Sequence, residues 1–204
     1  MLVSKKYFTT IFIVLSTINT LIVLSYLKFN FKNETTLSGN FKNIHNGDLI
    51  LRCGRSTESF AVYLADANSE FTHIGIISIE NGIPYVIHAV PSKTNLIKKE
   101  VLFTFLNSKN TSKFAIYRSN FNEVYLDKVV KTANSYYINK YEFDTKYDLT
   151  TNTKLYCTEL VLKAFNTCGA TLKVKSKELN YIIGKHFIIF PSEFTKAPFF
   201  TRII

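Results

Sequence analysis

The fold is decided at residues 71–90, which read FTHIGIISIENGIPYVIHAV. Apolar, β-branched and aromatic residues dominate on both sides of Asn81-Gly82, the dipeptide most typical of a two-residue hairpin loop. We therefore predict two antiparallel strands within 71–79 and 85–90, with Glu80 opposite Ile83. Pro84 then falls at a position whose missing N–H is not needed by the partner strand, which supports this register.

The predicted register places two histidines on one face of the hairpin. Gly75 lies opposite His88, and His73 precedes Gly75 by two residues. Because side chains alternate between the faces of a strand, His73 and His88 are diagonal neighbours, about 7–8 Å apart at the backbone. Gly75 has no side chain and leaves room beside His88. Taken alone, the pattern is equally compatible with two partly buried histidines that bond to main-chain carbonyls.

A cysteine stands at the start of a later predicted helix. The helix begins near Cys157 and stops at Gly169, and its apolar stripe consists of Leu160, Val161, Ala164, Phe165 and Cys168. Free N–H groups and the helix dipole at its start favour a thiolate. A thiolate paired with an imidazolium is the active form of a cysteine hydrolase, and the same N–H groups can bind an oxyanion. Cys157 is also compatible with a small core residue, the role that we predict for Cys168.

The remaining patterns predict a domain of mixed helices and strands. Strands are predicted at 49–51, 114–118 and 186–190, the last closed by Pro191, and helices at 56–68, 99–106 and 122–137. Because helices and strands do not alternate regularly, an α+β fold is favoured over a doubly wound parallel sheet. We place this domain at residues 41–204.

The N-terminal segment predicts a membrane anchor. Residues 7–27 carry no charged side chain, and 21 residues of helix match the hydrocarbon thickness of a bilayer. We predict a single transmembrane helix within residues 1–28, followed by a polar linker at 29–40. A cleaved secretory signal is the alternative, but the flank Ser25-Tyr26-Leu27 is a poor cleavage site.

Composition narrows the classes of partner. Of 204 residues, 47% are hydrophobic and 20% charged, which excludes a disordered chain. The formal net charge of +10 favours an anionic partner such as a membrane, a cell-wall polymer or a nucleic acid. The lysines are scattered and no nucleic-acid motif is present, so we predict no nucleic-acid binding. We predict no cofactor.

Four motifs, taken in order, carry a family resemblance. GDLI at 47–50, FTHIGI at 71–76, YVIHA at 85–89 and LYCTELV at 155–161 resemble the YiiX/YebB-like branch of the NlpC/P60 superfamily. These are permuted papain-fold cysteine hydrolases, in which the histidine strand precedes the cysteine helix.

The resemblance implies a fold, a site and a location. The implied fold is a central antiparallel sheet packed against helices. The implied nucleophile is Cys157 and the general base is His73. His88 is the polar orienting residue, at a position where relatives often have glutamate. The resemblance also implies an exported domain, held on the outer side of a membrane by the N-terminal helix.

The leading hypothesis is a membrane-anchored cysteine hydrolase that cleaves an amide bond, such as one in a cell-wall peptide, through an acyl-enzyme on Cys157. Three alternatives stay open. The same thiol site suits a lipid acyl-hydrolase or acyltransferase, and the fold suits a non-catalytic binding module. His73, His88 and Cys157 are also zinc-ligand residue types, although no pair with finger-like spacing accompanies them.

Overall fold

The structure is a computed structural model that describes residues 2–31, 41–67, 69–181 and 184–204. The chain divides into two compact units, Met1–Glu34 and Thr35–Ile204. The first unit holds the helix α1, Leu2–Phe31, and the second holds all other elements. Residues 32–40 of the predicted linker lie outside the described residues, and the predicted domain bounds stay predictions.

Helix α1 covers the apolar run that predicts a membrane anchor. Several of its polar side chains bond within the helix: the Thr17 hydroxyl donates to the Val14 carbonyl, and the Thr20 hydroxyl donates to the Ser16 carbonyl. In the part of the chain that the structure describes, no helix is both long and apolar enough to cross a bilayer. The structure thus gives the predicted transmembrane helix no support, and the export that depends on it stays a prediction.

The second unit is built on a six-stranded sheet in the order β10-β5-β1-β2-β3-β4, in which all neighbouring strands are antiparallel. Its strands are β1 Leu49–Gly54, β2 His73–Glu80, β3 Ile83–His88, β4 Lys98–Val101, β5 Thr111–Ser119 and β10 Phe200–Arg202. Two further pairs, β6 Glu142–Phe143 with β7 Lys154–Leu155 and β8 Ser176–Tyr181 with β9 Gly184–Ile189, lie outside this sheet. The predicted α+β class with a central antiparallel sheet is confirmed.

The hairpin at the centre of the sheet follows the predicted register. Glu80 pairs with Ile83, and Asn81 and Gly82 have φ values of 50° and 77°. Both loop residues therefore adopt the left-handed conformation that a tight hairpin turn requires, which Asn and Gly accept at little cost. This agreement matters for the site, because the register decides which histidines share a face.

Helices cover both faces of the sheet. They are α2 Thr57–Ala65, α3 Leu102–Phe105, α4 Glu123–Ile138, α5 Cys157–Thr167 and α6 Pro191–Lys196. The larger core lies between the sheet and helices α4 and α5, with Ile74, Ile76 and Ile87 fully buried. A smaller core on the opposite face surrounds Phe105 of α3.

One predicted element is wrong in type. The helix predicted at 99–106 is strand β4 followed by the single turn of α3, because Lys98–Val101 pairs along the edge of β3. The apolar spacing that favoured a helix reflects the burial of Leu102, Phe105 and Leu106. The strand predicted at 186–190 is confirmed as β9, and Pro191, which follows it, begins helix α6, where its missing N–H would have no partner in any case.

An ion pair between Asp48 and Arg118 holds the turn that precedes β1. The carboxylate of Asp48 is fully buried and accepts hydrogen bonds from Arg118 Nε at 3.0 Å and Nη2 at 2.8 Å. It also accepts the His45 N–H at 2.8 Å. The bidentate contact joins the turn before β1 to β5, and its geometry satisfies a charge that would otherwise be costly to bury.

Candidate active site

Four polar side chains form a row across one face of the sheet. Arg52 of β1 pairs with His73 of β2, and the registers place His88 of β3 and Glu100 of β4 at successive diagonal positions. All four lie on the face of the smaller core, where diagonal neighbours are within reach of long side chains. The row runs through the centre of the sheet to its β4 edge.

The two histidines form the middle of a hydrogen-bonded chain. His73 Nε2 lies 2.9 Å from His88 Nδ1, and His88 Nε2 lies 3.1 Å from Glu100 Oε1. Phe105 packs against both rings, with centroid distances of 5.8 Å and 5.0 Å. The predicted proximity of His73 and His88 is therefore observed as direct contact, and side-chain hydrogen bonds join the two rings to each other and His88 to Glu100.

Gly75 makes this arrangement possible. A Cβ placed on Gly75 would lie 2.5 Å from Val86 Cγ1 and 3.1 Å from His88 Cβ. Since a real Cβ does not tolerate the first distance, only glycine leaves space for the His88 side chain in this register. The room that the sequence predicts beside His88 is present.

Cys157 occupies the first position of α5. The helix start is fixed by Glu159, whose carboxylate accepts the Tyr156 N–H at 3.2 Å and pairs with Lys163 at 2.8 Å. The Thr158 hydroxyl donates to the Ile189 carbonyl at 2.7 Å and ties the helix to β9. Glu159 thus has the local structural role that its position in the helix indicates.

Cys157, His73 and His88 line one cavity of about 430 Å³. The Cys157 thiol is in hydrogen-bonding contact with the main chain of Ile74, the residue that follows His73. Within the described ranges, no hydrogen bond joins the thiol to the His73 ring. The structure therefore brings the three predicted residues to one cavity, with the histidines in contact and the thiol beside them.

The thiol does not have the low pKa that its position at a helix start predicts. Burial raises the pKa of Cys157 to about 11, because the thiolate is removed from water. The main-chain groups of Ile74, Thr158 and Cys157 itself and the charge of Arg52 oppose this shift without cancelling it. Cys157 is therefore a neutral thiol at neutral pH, contrary to the thiolate expected at a helix start.

The histidines are held neutral as well. Burial, aided by Arg52, lowers the pKa of His73 well below its ordinary value, and burial also lowers the pKa of His88 against the opposing effect of Glu100. Burial alone would raise the pKa of Glu100, but the hydrogen bond from His88 and the nearby positive charges lower it. The resting site thus contains two neutral imidazoles and one carboxylate.

The sequence analysis missed Arg52 and Glu100. The Arg52 guanidinium lies 4.1 Å from the Phe105 ring centroid, and burial lowers its pKa. Glu100 was assigned to a helix, where nothing links it to His88. No local pattern in the sequence links Glu100 to His88, because the contact depends on the pairing of β4 with β3.

The other two cysteines are outside the cavity. All three cysteines are free thiols. Cys168 ends α5, packs against the larger core and lies 3.4 Å from the Thr132 hydroxyl, consistent with its predicted packing role. Cys53 is buried in β1. In the described part of the chain, no group of three or more His, Cys, Asp or Glu side chains is placed to hold a metal ion.

The chain is similar in sequence and in fold to known proteins. The family of permuted papain-like amidase enzymes, YaeF/YiiX, C92, matches residues 43–203. The chain belongs to the C92 family. The uncharacterized protein YiiX of Escherichia coli K12 is 27% identical over 142 residues, which are 66% of this chain and 66% of YiiX. The crystal structure of YiiX from Escherichia coli O157:H7, described as a metalloprotein, has a TM-score of 0.66 at 21% identity and covers 78% of this chain and 96% of that chain.

Membership of the C92 family confirms two predictions from the sequence. The predicted resemblance to YiiX-like, permuted papain-fold proteins is confirmed, as is the predicted class of enzyme, a thiol hydrolase of amidase type. The structural likeness to YiiX shows the fold. The individual roles of Cys157, His73 and His88 stay predictions, which the following sections develop from their geometry.

Proposed function

We propose that this C92 protein hydrolyses an amide bond through a thioester on Cys157, with His73 as general base. The observation that carries the proposal is the shared cavity, in which a thiol at a helix start adjoins a buried, neutral imidazole. A neutral imidazole can accept a proton, and Cys157, which packs in part against the larger core, is a free thiol that lines the cavity.

The reaction proceeds in two steps. The Cys157 sulfur attacks the amide carbonyl as His73 takes the thiol proton, and His73 then gives this proton to the leaving amine as the C–N bond breaks. Water attacks the resulting thioester, His73 accepts a proton from it, and the C–S bond breaks to release the acid and restore the thiol. N–H groups at the start of α5 are the donors that we assign to the oxyanion of each tetrahedral intermediate.

We propose that deprotonation accompanies attack in this site. Because burial raises the pKa of Cys157 to about 11, very little thiolate is present at neutral pH before attack. General-base catalysis by His73 supplies the missing activation at the moment of bond formation. The depressed His73 pKa keeps the base unprotonated into mildly acidic solution.

The charge of the cavity favours an anionic substrate. Its lining includes the cations Arg52, Arg55, Lys98 and Lys109 against the carboxylates Glu58 and Glu100. Excess positive charge in a concave site raises the local concentration of negatively charged ligands. We therefore propose a peptide amide with carboxylates close to the scissile bond, the chemistry of an acidic cell-wall peptide.

Metal chemistry is not part of this proposal. The relative's description as a metalloprotein points to a metal, so we tested the residues present against one. Three of the four histidine ring nitrogens in the row are in side-chain hydrogen bonds, and no suitable ligand group exists among the described residues. The donor set therefore does not fit a metal ion, and no step is derived through one.

The test compares Cys157→Ser with Cys168→Ser. The second variant is the matched control, because it removes the other partly exposed thiol. Both proteins and the wild type are incubated with a panel of acidic and neutral peptide amides and, separately, with phosphatidylglycerol vesicles. We expect amine release from acidic peptides by the wild type and Cys168→Ser, and none by Cys157→Ser.

Two results would overturn the proposal. Release of fatty acid from the vesicles with all peptides intact would establish a lipid acyl-hydrolase. Absence of any thioester on Cys157, checked by intact mass after reaction with p-nitrophenyl acetate, would indicate a binding module of the same fold.

A further inference from the structure

Glu100 is the last member of the hydrogen-bonded row and the one with access to solvent. Its side chain is 28% exposed, whereas the His88 side chain that it contacts is 1% exposed. The carboxylate lies on β4, two residues beyond Lys98, the direct partner of His88 across the strand pair. A surface ion pair contributes little to stability. This carboxylate instead contacts a buried ring that leads directly to His73.

We propose that Glu100 is a positioning residue that fixes the protons of both histidines and leaves Nδ1 of His73 bare to accept the proton of Cys157. The proposal rests on the function proposed above. In a catalytic triad, a carboxylate bonds directly to the base and holds it in the correct tautomer. Here Glu100 has this role through His88, which lies between the carboxylate and His73.

The positions of the ring protons on His88 and His73 follow from the Glu100 carboxylate, which can only accept hydrogen bonds. An ionised carboxylate only accepts hydrogen bonds, so the contact at 3.1 Å places the single proton of neutral His88 on its Nε2. His88 Nδ1 then has only a lone pair and must accept from His73 Nε2 across 2.9 Å. The single proton of His73 is thereby placed on Nε2, and its Nδ1 is free to act as a base.

Glu100 also opposes the positive charges around the row. Arg52 on β1 and Lys98 on β4 both disfavour a proton on His73 and His88, and the ring of Phe105 on α3 supplies no charge. When His73 receives the thiol proton, Glu100 is the carboxylate in the row that offsets the new cation. The buried base His73 is therefore coupled to the carboxylate of Glu100 through the polarisable ring of His88.

The experiment measures acylation of Cys157 by p-nitrophenyl acetate, followed as a burst of p-nitrophenolate between pH 5 and 10. Glu100→Gln removes the charge, and Glu100→Leu removes the charge and the acceptor. Loss of a hydrogen bond to a charged group predicts that the burst rate falls about 10- to 100-fold. Because the carboxylate favours imidazolium, its removal also shifts the acidic limb of the pH profile to lower pH, which a merely structural loss does not do.

Two controls isolate the path through His88. Glu80→Gln removes another carboxylate that contacts β4, through Lys99, and we expect wild-type rates from it. In the His88→Gln background, Glu100→Gln should cause no further loss, because the contact through which it acts is absent.

Histidine ring nitrogen NMR gives a readout that is independent of activity. The wild type should show His73 with a protonated Nε2 and a bare Nδ1, and Glu100→Leu should add the other tautomer. A proton on His73 Nδ1 in the wild type, or an unchanged rate and pH profile in Glu100→Gln, would overturn the inference.

Failure of this inference is distinct from failure of the proposed function. If His73→Ala abolishes the burst while both Glu100 variants behave as wild type, the thiol–imidazole chemistry stands and Glu100 has no part in it. If Cys157→Ser leaves the burst intact, the proposed function itself is wrong.

Discussion

Replacing Gly75 with alanine tests the packing that holds the candidate site together. The new Cβ would lie 2.5 Å from Val86 Cγ1 and 3.1 Å from the Ile87 carbonyl oxygen. Val86 and Ile87 are both fully buried, and Ile87 is paired with Ile76 in the centre of the sheet. The Ile87 carbonyl oxygen belongs to the β3 backbone, and Val86 Cγ1 has to turn within a fully buried core, so the substitution overpacks the site.

The expected magnitude follows from two opposing effects. Overpacking a core costs about 1–3 kcal/mol, whereas alanine recovers about 0.5–1 kcal/mol of backbone entropy relative to glycine in a strand. The net loss in free energy of unfolding should be about 1–2 kcal/mol, or roughly 2–8 °C in Tm for a domain of this size. The His88 Cβ is only 3.1 Å from the new atom, so the rate of acylation should fall by about tenfold or more.

Urea denaturation and the p-nitrophenyl acetate burst measure the two effects separately. Val86→Ala provides the matched control, since it removes the atom that clashes. Gly75→Ala combined with Val86→Ala should be less destabilised than the sum of the single variants. A Gly75→Ala protein with wild-type stability and wild-type burst rate would show that the strand tolerates the extra atom and would refute the reasoning.

Three further predictions concern other parts of the domain. Asp48→Ala leaves Arg118 without its buried partner and should lower the free energy of unfolding by about 3 kcal/mol, measured in urea; a loss below about 1 kcal/mol would contradict the importance of this pair. Alkylation of Cys157 by iodoacetamide, followed by peptide mass spectrometry, should keep accelerating above pH 9, because burial raises its pKa to about 11 and delays thiolate formation; a plateau below pH 8 would speak against a neutral thiol. Glu159→Gln should retain the burst within a few-fold, since its carboxylate contacts Tyr156 N–H and Lys163 rather than substrate; complete loss would assign it to the chemistry.

The hairpin and the cysteine helix were predictable because their signals are local. Asn81-Gly82 sets the register, and the register alone puts His73 and His88 on one face. Cys157 and Gly169 mark a helix start and stop within a dozen residues. In each case neighbouring residues determine the element, and the tertiary fold agrees with them.

Glu100 and the ionisation of Cys157 were not predictable because they depend on distant partners. Residues 98–101 are a strand only because β3 offers an edge to pair with, and nothing within the segment encodes that pairing. The helix start favours a thiolate, but the depth at which α5 meets β2 outweighs it. The sequence thus predicts the candidate site residues, whereas their charge states depend on how the sheet and helices pack.

The protonated sulfur of Cys157 has a consequence for survival in oxidising surroundings. Peroxide attacks thiolates far faster than thiols, and the first product, a sulfenic acid, ends nucleophilic chemistry until it is reduced. In the proposed mechanism, Cys157 transfers its proton to His73 only when substrate is bound. Little thiolate is therefore present between turnovers. The same burial that disfavours ionisation of Cys157 therefore lowers the rate at which peroxide oxidises it.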